Sequence, residues 1–284
     1  MNSMKFGMRV LVAICLAVSV NIAAQGPTDA TAIMAKAREA LGGEKKLTSI
    51  KTVVASGQTR QVRGENLIPI VFEINIELPN KYSRRDETPA VESGYTTLGF
   101  SGDDLVQLPP PVIPVMPQMA ARAGGPPAPS PEQIAAQMAA QRKTRVTTLK
   151  QDYGRLMLAL FAASTDVFPL TFTKFGIAES PQGKADVISV SGPNNFTANF
   201  LISQDTHLPV MLSWTPPPPP ARPGMTATAS AEQRMYFADY RDAGGVMWPH
   251  RIRRASGSDT TEETTFDRFR LNAKIDPKKF EVVK

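Results

Sequence analysis

Residues 70–78 read Ile-Val-Phe-Glu-Ile-Asn-Ile-Glu-Leu, so Ile70, Phe72, Ile74, Ile76 and Leu78 alternate with Val71, Glu73, Asn75 and Glu77. A period of two sends successive side chains to opposite faces, which makes this stretch a strand with one buried and one wet face, the habit of antiparallel sheets. Strand-like runs recur near 51–60, 81–87, 95–101, 104–108, 170–178, 185–191, 196–203, 208–214, 233–241, 246–255 and 262–271. Ser101-Gly102-Asp103, Gly192-Pro193-Asn194-Asn195 and Asp242-Ala243-Gly244-Gly245 separate neighbouring runs with tight-turn residues. The expected architecture is therefore mainly β with a few helices: one large, curled antiparallel sheet.

Helical period appears in three places. Ala30, Ile33, Met34, Ala37 and Leu41 share one face of a helix expected over 29–41, stopped by Gly42-Gly43. Ser130, Pro131 and Gln133 form a cap, a first-turn proline and a capping-box partner, which start a helix running to about Arg142. A further helix is expected over 146–163, and its end, Leu156-Met157-Leu158-Ala159-Leu160-Phe161-Ala162-Ala163, is apolar on every side. One-sided packing cannot bury such a segment, so it is either sandwiched in the core or plugs something concave.

The chain has 284 residues, 42% of them hydrophobic, enough for a sizeable core and against wholesale disorder. Lys5 and Arg9, the apolar run Val10–Val20 and the small pair Ala23-Ala24 follow the order of a secretory signal peptide. The expected division is a cleaved leader over 1–24 and one domain over 25–284. Cleavage removes the single cysteine, Cys15, and lowers the formal charge from +6 to +4. Zinc-knuckle and disulfide-scaffold classes are thereby excluded, and the scattered basic residues do not mark a nucleic-acid binder. Two proline-rich insertions, at about 109–131 and 216–224, read as stiff extended loops.

Catalytic signatures are missing from the sequence. His207 and His250 have no metal-ligand spacing, and no nucleophile elbow, phosphate loop or dinucleotide fingerprint occurs. The acidic pairs Asp103-Asp104 and Glu262-Glu263, and Asp239 with Asp242, lie at turns or a strand start, where solvent alone accounts for them. The expectation is a protein without enzymatic activity, metal or cofactor.

A curled sheet with a greasy face either fills its concavity with its own side chains or leaves room for an apolar ligand. The inward sets are Phe72, Ile74 and Ile76; Leu98 and Phe100; Phe172; and Val210, Leu212 and Trp214.

Several segments resemble the periplasmic lipoprotein-carrier family, LolA and its relatives. They are LTSIKTVVASGQ (47–58), LPNKYSRRDE (78–87), TLGFSGDDLVQL (97–108), KADVISVSGPNNFTANFLISQDTHLPVMLSW (184–214), YFADYRDAGGVMWPHRIR (236–253) and FDRFRLNAKIDPKKFEVV (266–283). The resemblance implies a half-open barrel wrapped over helices, with a cavity that shields acyl chains. Phe72, Ile74, Ile76, Met157, Leu160, Phe161 and Trp214 would then be cavity lining or lid. It also implies a soluble periplasmic monomer that binds the acyl chains of lipoproteins or a lipid-like ligand and meets envelope membrane proteins. An envelope-stress sensor or interaction module of the same fold is the alternative.

Overall fold

The computed structural model describes residues 30–89, 94–110, 130–180, 183–218 and 229–282, with the backbone of 19–21. The rest of the expected leader, and most of both proline-rich insertions, lie outside the described residues. The strands are β1 (Ser19–Asn21), β2 (Thr52–Arg63), β3 (Asn66–Glu77), β4 (Lys81–Glu87), β5 (Tyr95–Ser101), β6 (Asp104–Leu108) and β7 (Thr171–Ser180). They continue with β8 (Gly183–Gly192), β9 (Phe196–Ser203), β10 (Pro209–Trp214), β11 (Gln233–Asp242), β12 (Met247–Ser256) and β13 (Asp259–Leu271).

All of them form one sheet in the order β1-β7-β8-β9-β10-β11-β12-β13-β2-β3-β4-β5-β6. From β2 to β6 and from β7 to β13 neighbours in sequence are neighbours in space; β13 returns to β2, which joins the two halves of the chain, and β1 pairs with β7. The edges, β1 and β6, do not pair with each other, so the sheet is an unclosed barrel. Register shifts between Lys174 and Gly176, Pro209 and Met211, Arg254 and Ala255, and Phe266 and Arg268 add the local twist that curls it.

The strand over 70–78 holds its pattern. Phe72, Ile74 and Ile76 lie opposite Gly57, Ala55 and Val53 on β2, and all three point into the core. Gly57 is required there, because a side chain would run into the Thr265 carbonyl and the Phe72 ring. Phe72 then meets Phe266 edge-on at 5.3 Å.

Helix α1 (Ala30–Ala40) buries Ala30, Ile33, Met34 and Ala37. Gly42 and Gly43 end it with positive φ, and the N–H of Gly43 returns to the Arg38 carbonyl. A short helix α2 (Glu44–Ser49), which the periodicity did not reveal, follows and buries Leu47 alone. With one apolar contact per turn and a half, no stripe exists to read.

The two helices expected over 131–142 and 146–163 are one, α3 (Pro131–Phe161), of 31 residues. No glycine or proline interrupts 143–145, and Thr144 returns its hydroxyl to the Ala140 carbonyl at 3.0 Å without breaking the helix. The capping box at Ser130 and Gln133 is formed as read from the sequence. At the other end Ala162 adopts a left-handed conformation, and Arg38 donates to the Phe161 carbonyl at 2.7 Å, placing a cation at the helix C-terminus. The main core gathers the concave face of the sheet, α1 and the second half of α3.

Candidate functional site

Met157, Leu158, Ala159, Leu160, Phe161 and Ala162 are each 6% exposed or less. This end of α3 occupies the concavity, so the helix that is apolar all round is both sandwiched and a plug. Phe72, Ile74, Ile76, Phe100, Met157, Leu160, Phe161 and Leu212 come together in the main core, and Phe172 and Trp214 pack half-buried against it. Two of the expected inward residues behave differently. Leu98 is opposite Arg84, on the face it shares with Phe100, but is 40% exposed. Val210 packs instead against a separate cluster of Ala178, Ala185, Val187, Leu201 and Met211. It is the extra residue at the bulge between Pro209 and Met211, and an inserted residue ends the strict alternation that assigned it inward.

Tyr153 marks where α3 enters the core. Its ring meets Phe100 edge-on at 5.3 Å, its hydroxyl donates to the Pro79 carbonyl at 3.2 Å, and burial raises the pKa of that hydroxyl. Beside it Gly154 lies flush against Phe168, where a Cβ would come within 2.6 Å of the ring. Tyr82, near the same rings, is pushed up to about 12 chiefly by burial.

The neighbouring wall is charged. Arg155 is 7% exposed, its guanidinium 4.1 Å from the Trp214 ring centre and 5.0 Å from that of Phe196. It donates to Asp152 at 2.9 Å, while its Nε has no partner. Burial lowers its affinity for its proton, with Asp152 opposing the shift. Arg254 lies 3.8 Å from both Asp152 and Glu262, and Arg84 holds Asp86 at 2.7 Å and Thr59 at 3.0 Å.

A cavity of about 1040 Å³ lies elsewhere, beside α3 before it enters the core. One wall is the stripe Ala135, Met138, Ala139, Arg142 and Val146; facing it are Leu105 and Gln107 of β6, Val167-Phe168, Pro193-Asn194 and Val282. Val146 and Phe168, 6% and 1% exposed, belong to the main core, so the floor of this groove is the core itself. Lys150 reaches Asp103 at 2.6 Å and Arg145 reaches Gln107 at 2.6 Å, tying the helix to the β5–β6 turn and to β6. The Lys150 hydrogen bond holds the Asp103 carboxyl below its usual range.

None of the residues expected to line an apolar cavity lines this groove, although the turn residues Asp103, Asp104, Pro193 and Asn194 do. The helical spacing 135, 138, 139, 142, 146 was the available signal, yet it identifies only one wall. The facing wall comes from four distant segments, and no local pattern joins them.

No family model and no curated protein matches the sequence. Solved structures do match. A LolA superfamily protein from Nitrosomonas europaea aligns over 89% of this chain and 97% of its own, with 12% identity and a TM-score of 0.52. An outer membrane lipoprotein-sorting protein domain from Vibrio parahaemolyticus aligns over the same shares, 89% and 97%, with 8% identity and a TM-score of 0.46. The Pseudomonas aeruginosa MucB in its complex with MucA aligns over 90% of this chain and 62% of its own, at 10% identity and a TM-score of 0.25. The first of these establishes the class: the chain has a LolA-like fold, an open antiparallel barrel around helices.

Proposed function

We propose that this chain is a periplasmic carrier or binding protein for lipoproteins or other acylated, hydrophobic ligands, which it holds without covalent chemistry. The observation that carries this reading is the groove beside α3. It is large enough for an acyl chain, its floor is the apolar core, and one wall is the exposed half of the helix that plugs the barrel. An acyl chain laid there trades water for Val146, Val167, Phe168 and Leu105, which stabilises it by roughly 0.8 kcal/mol per buried methylene. The periplasmic assignment is supported by the charged, apolar and small-residue order of residues 1–24.

The test is native mass spectrometry of residues 25–284, purified from periplasm without detergent, for wild type and Met138→Glu. Met138 is half-buried on the exposed part of α3, so the substitution spares the core. Co-purified acylated species present in wild type and lost in the variant would support the reading. A bare wild-type mass that also takes up no added lipid would remove it.

The packed interior supports a second reading, a sensor or protein-interaction module of the same fold, in which a protein segment rather than a lipid lies along α3. Cross-linking from position 138 in whole cells that captured an envelope protein, with no lipid in the purified chain, would favour it.

A further inference from the structure

Resting on the reading of the groove as an apolar seat, we propose that its occupant is a single-chain amphiphile with a phosphate head group, held by Arg142 and Lys143. Both side chains line the groove. Both are exposed, and neither has an ion pair or hydrogen bond among the described residues. The other groove-lining charges are already used or outnumbered. Lys150 is bound to Asp103, which among the described residues leaves Asp104 as the acid lining the groove with these two unpaired cations.

The placement of these cations gives the ligand a direction. Val146 and Phe168 form the buried floor of the groove, and Arg142 lies one turn back along α3, about 6 Å nearer Pro131. A tail directed at Val146 and Phe168 would be buried, with its head group at Arg142 and Lys143. Two adjacent cations suit a head group with more than one negative charge and several acceptor oxygens. An arginine binds two phosphate oxygens through its planar fork, and the lysine adds a point charge. A lone carboxylate would use only one of them.

Calorimetric titration below the critical micelle concentration tests this, using oleoyl lysophosphatidic acid, oleate and monooleoylglycerol, which share one tail. The expected result is binding of the phosphate lipid about tenfold tighter than the glyceride, with the preference falling as salt rises. Arg142→Gln with Lys143→Gln should abolish the difference in affinity between the phosphate lipid and the glyceride. Equal binding of phosphate lipid and glyceride, or a preference that survives in the double variant, overturns the head-group assignment while the apolar seat stands. Oleate binding as tightly as the phosphate lipid overturns the choice of phosphate. Binding of none of the three removes the groove reading and this inference with it.

Discussion

Replacing Arg155 by methionine tests whether the buried charge beside α3 contributes to stability. Three contributions set the outcome. Nε is buried without a partner, and relieving that desolvation gains about 1–3 kcal/mol. The stacking of the guanidinium on Trp214 and Phe196, worth about 0.5–2 kcal/mol, is lost. The ion pair to Asp152 is lost too, but the Asp152 side chain is 44% exposed and water takes it back, so this costs about 0–1 kcal/mol. Methionine keeps an unbranched stem against the two rings, so the contributions largely cancel and the sum falls within about 2 kcal/mol of zero. Alanine removes the stem as well and opens a gap beside Trp214, which costs about 2–4 kcal/mol. Urea denaturation followed by tryptophan fluorescence should show the methionine midpoint near wild type with an unchanged slope, and the alanine midpoint clearly lower. A methionine variant destabilised by more than about 3 kcal/mol would refute the reasoning and make the charge itself a structural requirement.

Gly154→Ala should destabilise the chain by roughly 1–3 kcal/mol despite alanine's better helix propensity, because the new Cβ meets Phe168; adding Phe168→Leu should recover part of the loss in the same denaturation assay. Tyr82 should stay protonated beyond the ordinary tyrosine range: its raised folded pKa gives stability that is complete below pH 10 and is lost as pH rises towards 12, a shift that ultraviolet titration of Tyr82→Phe against wild type would isolate. Burial pushes the Glu73 carboxyl up, but hydrogen bonds from Lys279 and Asn75 outweigh it and the net direction is down. Its contribution is therefore present above 4.5 and lost as pH falls through the folded value, so the turn Pro277–Phe280 should loosen in acid, visible as chemical-shift change at Lys279. In hydrogen exchange the amides of 131–145 should exchange faster than those of 153–161, and uniform protection along α3 would contradict its division into exposed and buried halves.

Much of the fold could be read locally because antiparallel neighbours are sequence neighbours. Alternation at 70–78, turn residues at 101–103 and 242–245, and the box at Ser130 and Gln133 each carry their meaning within a few residues. What escaped depends on distant partners or on breaks in the pattern. Val210 was assigned by counting in twos, and a bulge made the count wrong at that residue. Leu98 has the parity of buried Phe100 but is 40% exposed, and alternation assigns a face without assigning depth. The groove was invisible because its walls come from β6, α3, the segment after α3, the β8–β9 turn and the C-terminal residues. Only the tertiary path brings these together.

The two halves of α3 differ in how firmly they are held. From Tyr153 to Ala162 the helix is locked by aromatic contacts with Phe100 and Trp248, by the fit of Gly154 to Phe168 and by the bond from Arg38 to the Phe161 carbonyl. Drawing that half out would expose the concave face of the whole sheet, so it behaves as core. From Pro131 to Arg145 only Met138 is half-buried, and among the described residues the side-chain link from this half to the sheet is Arg145 to Gln107. Such an exposed contact is weak and screened by salt. On the proposed reading, the helical wall of the groove should yield to a ligand while the floor stays fixed. A binding site with one rigid apolar surface and one adjustable helical wall admits acyl chains of different length without unpacking the barrel, and for that reason the filled interior is compatible with a carrier.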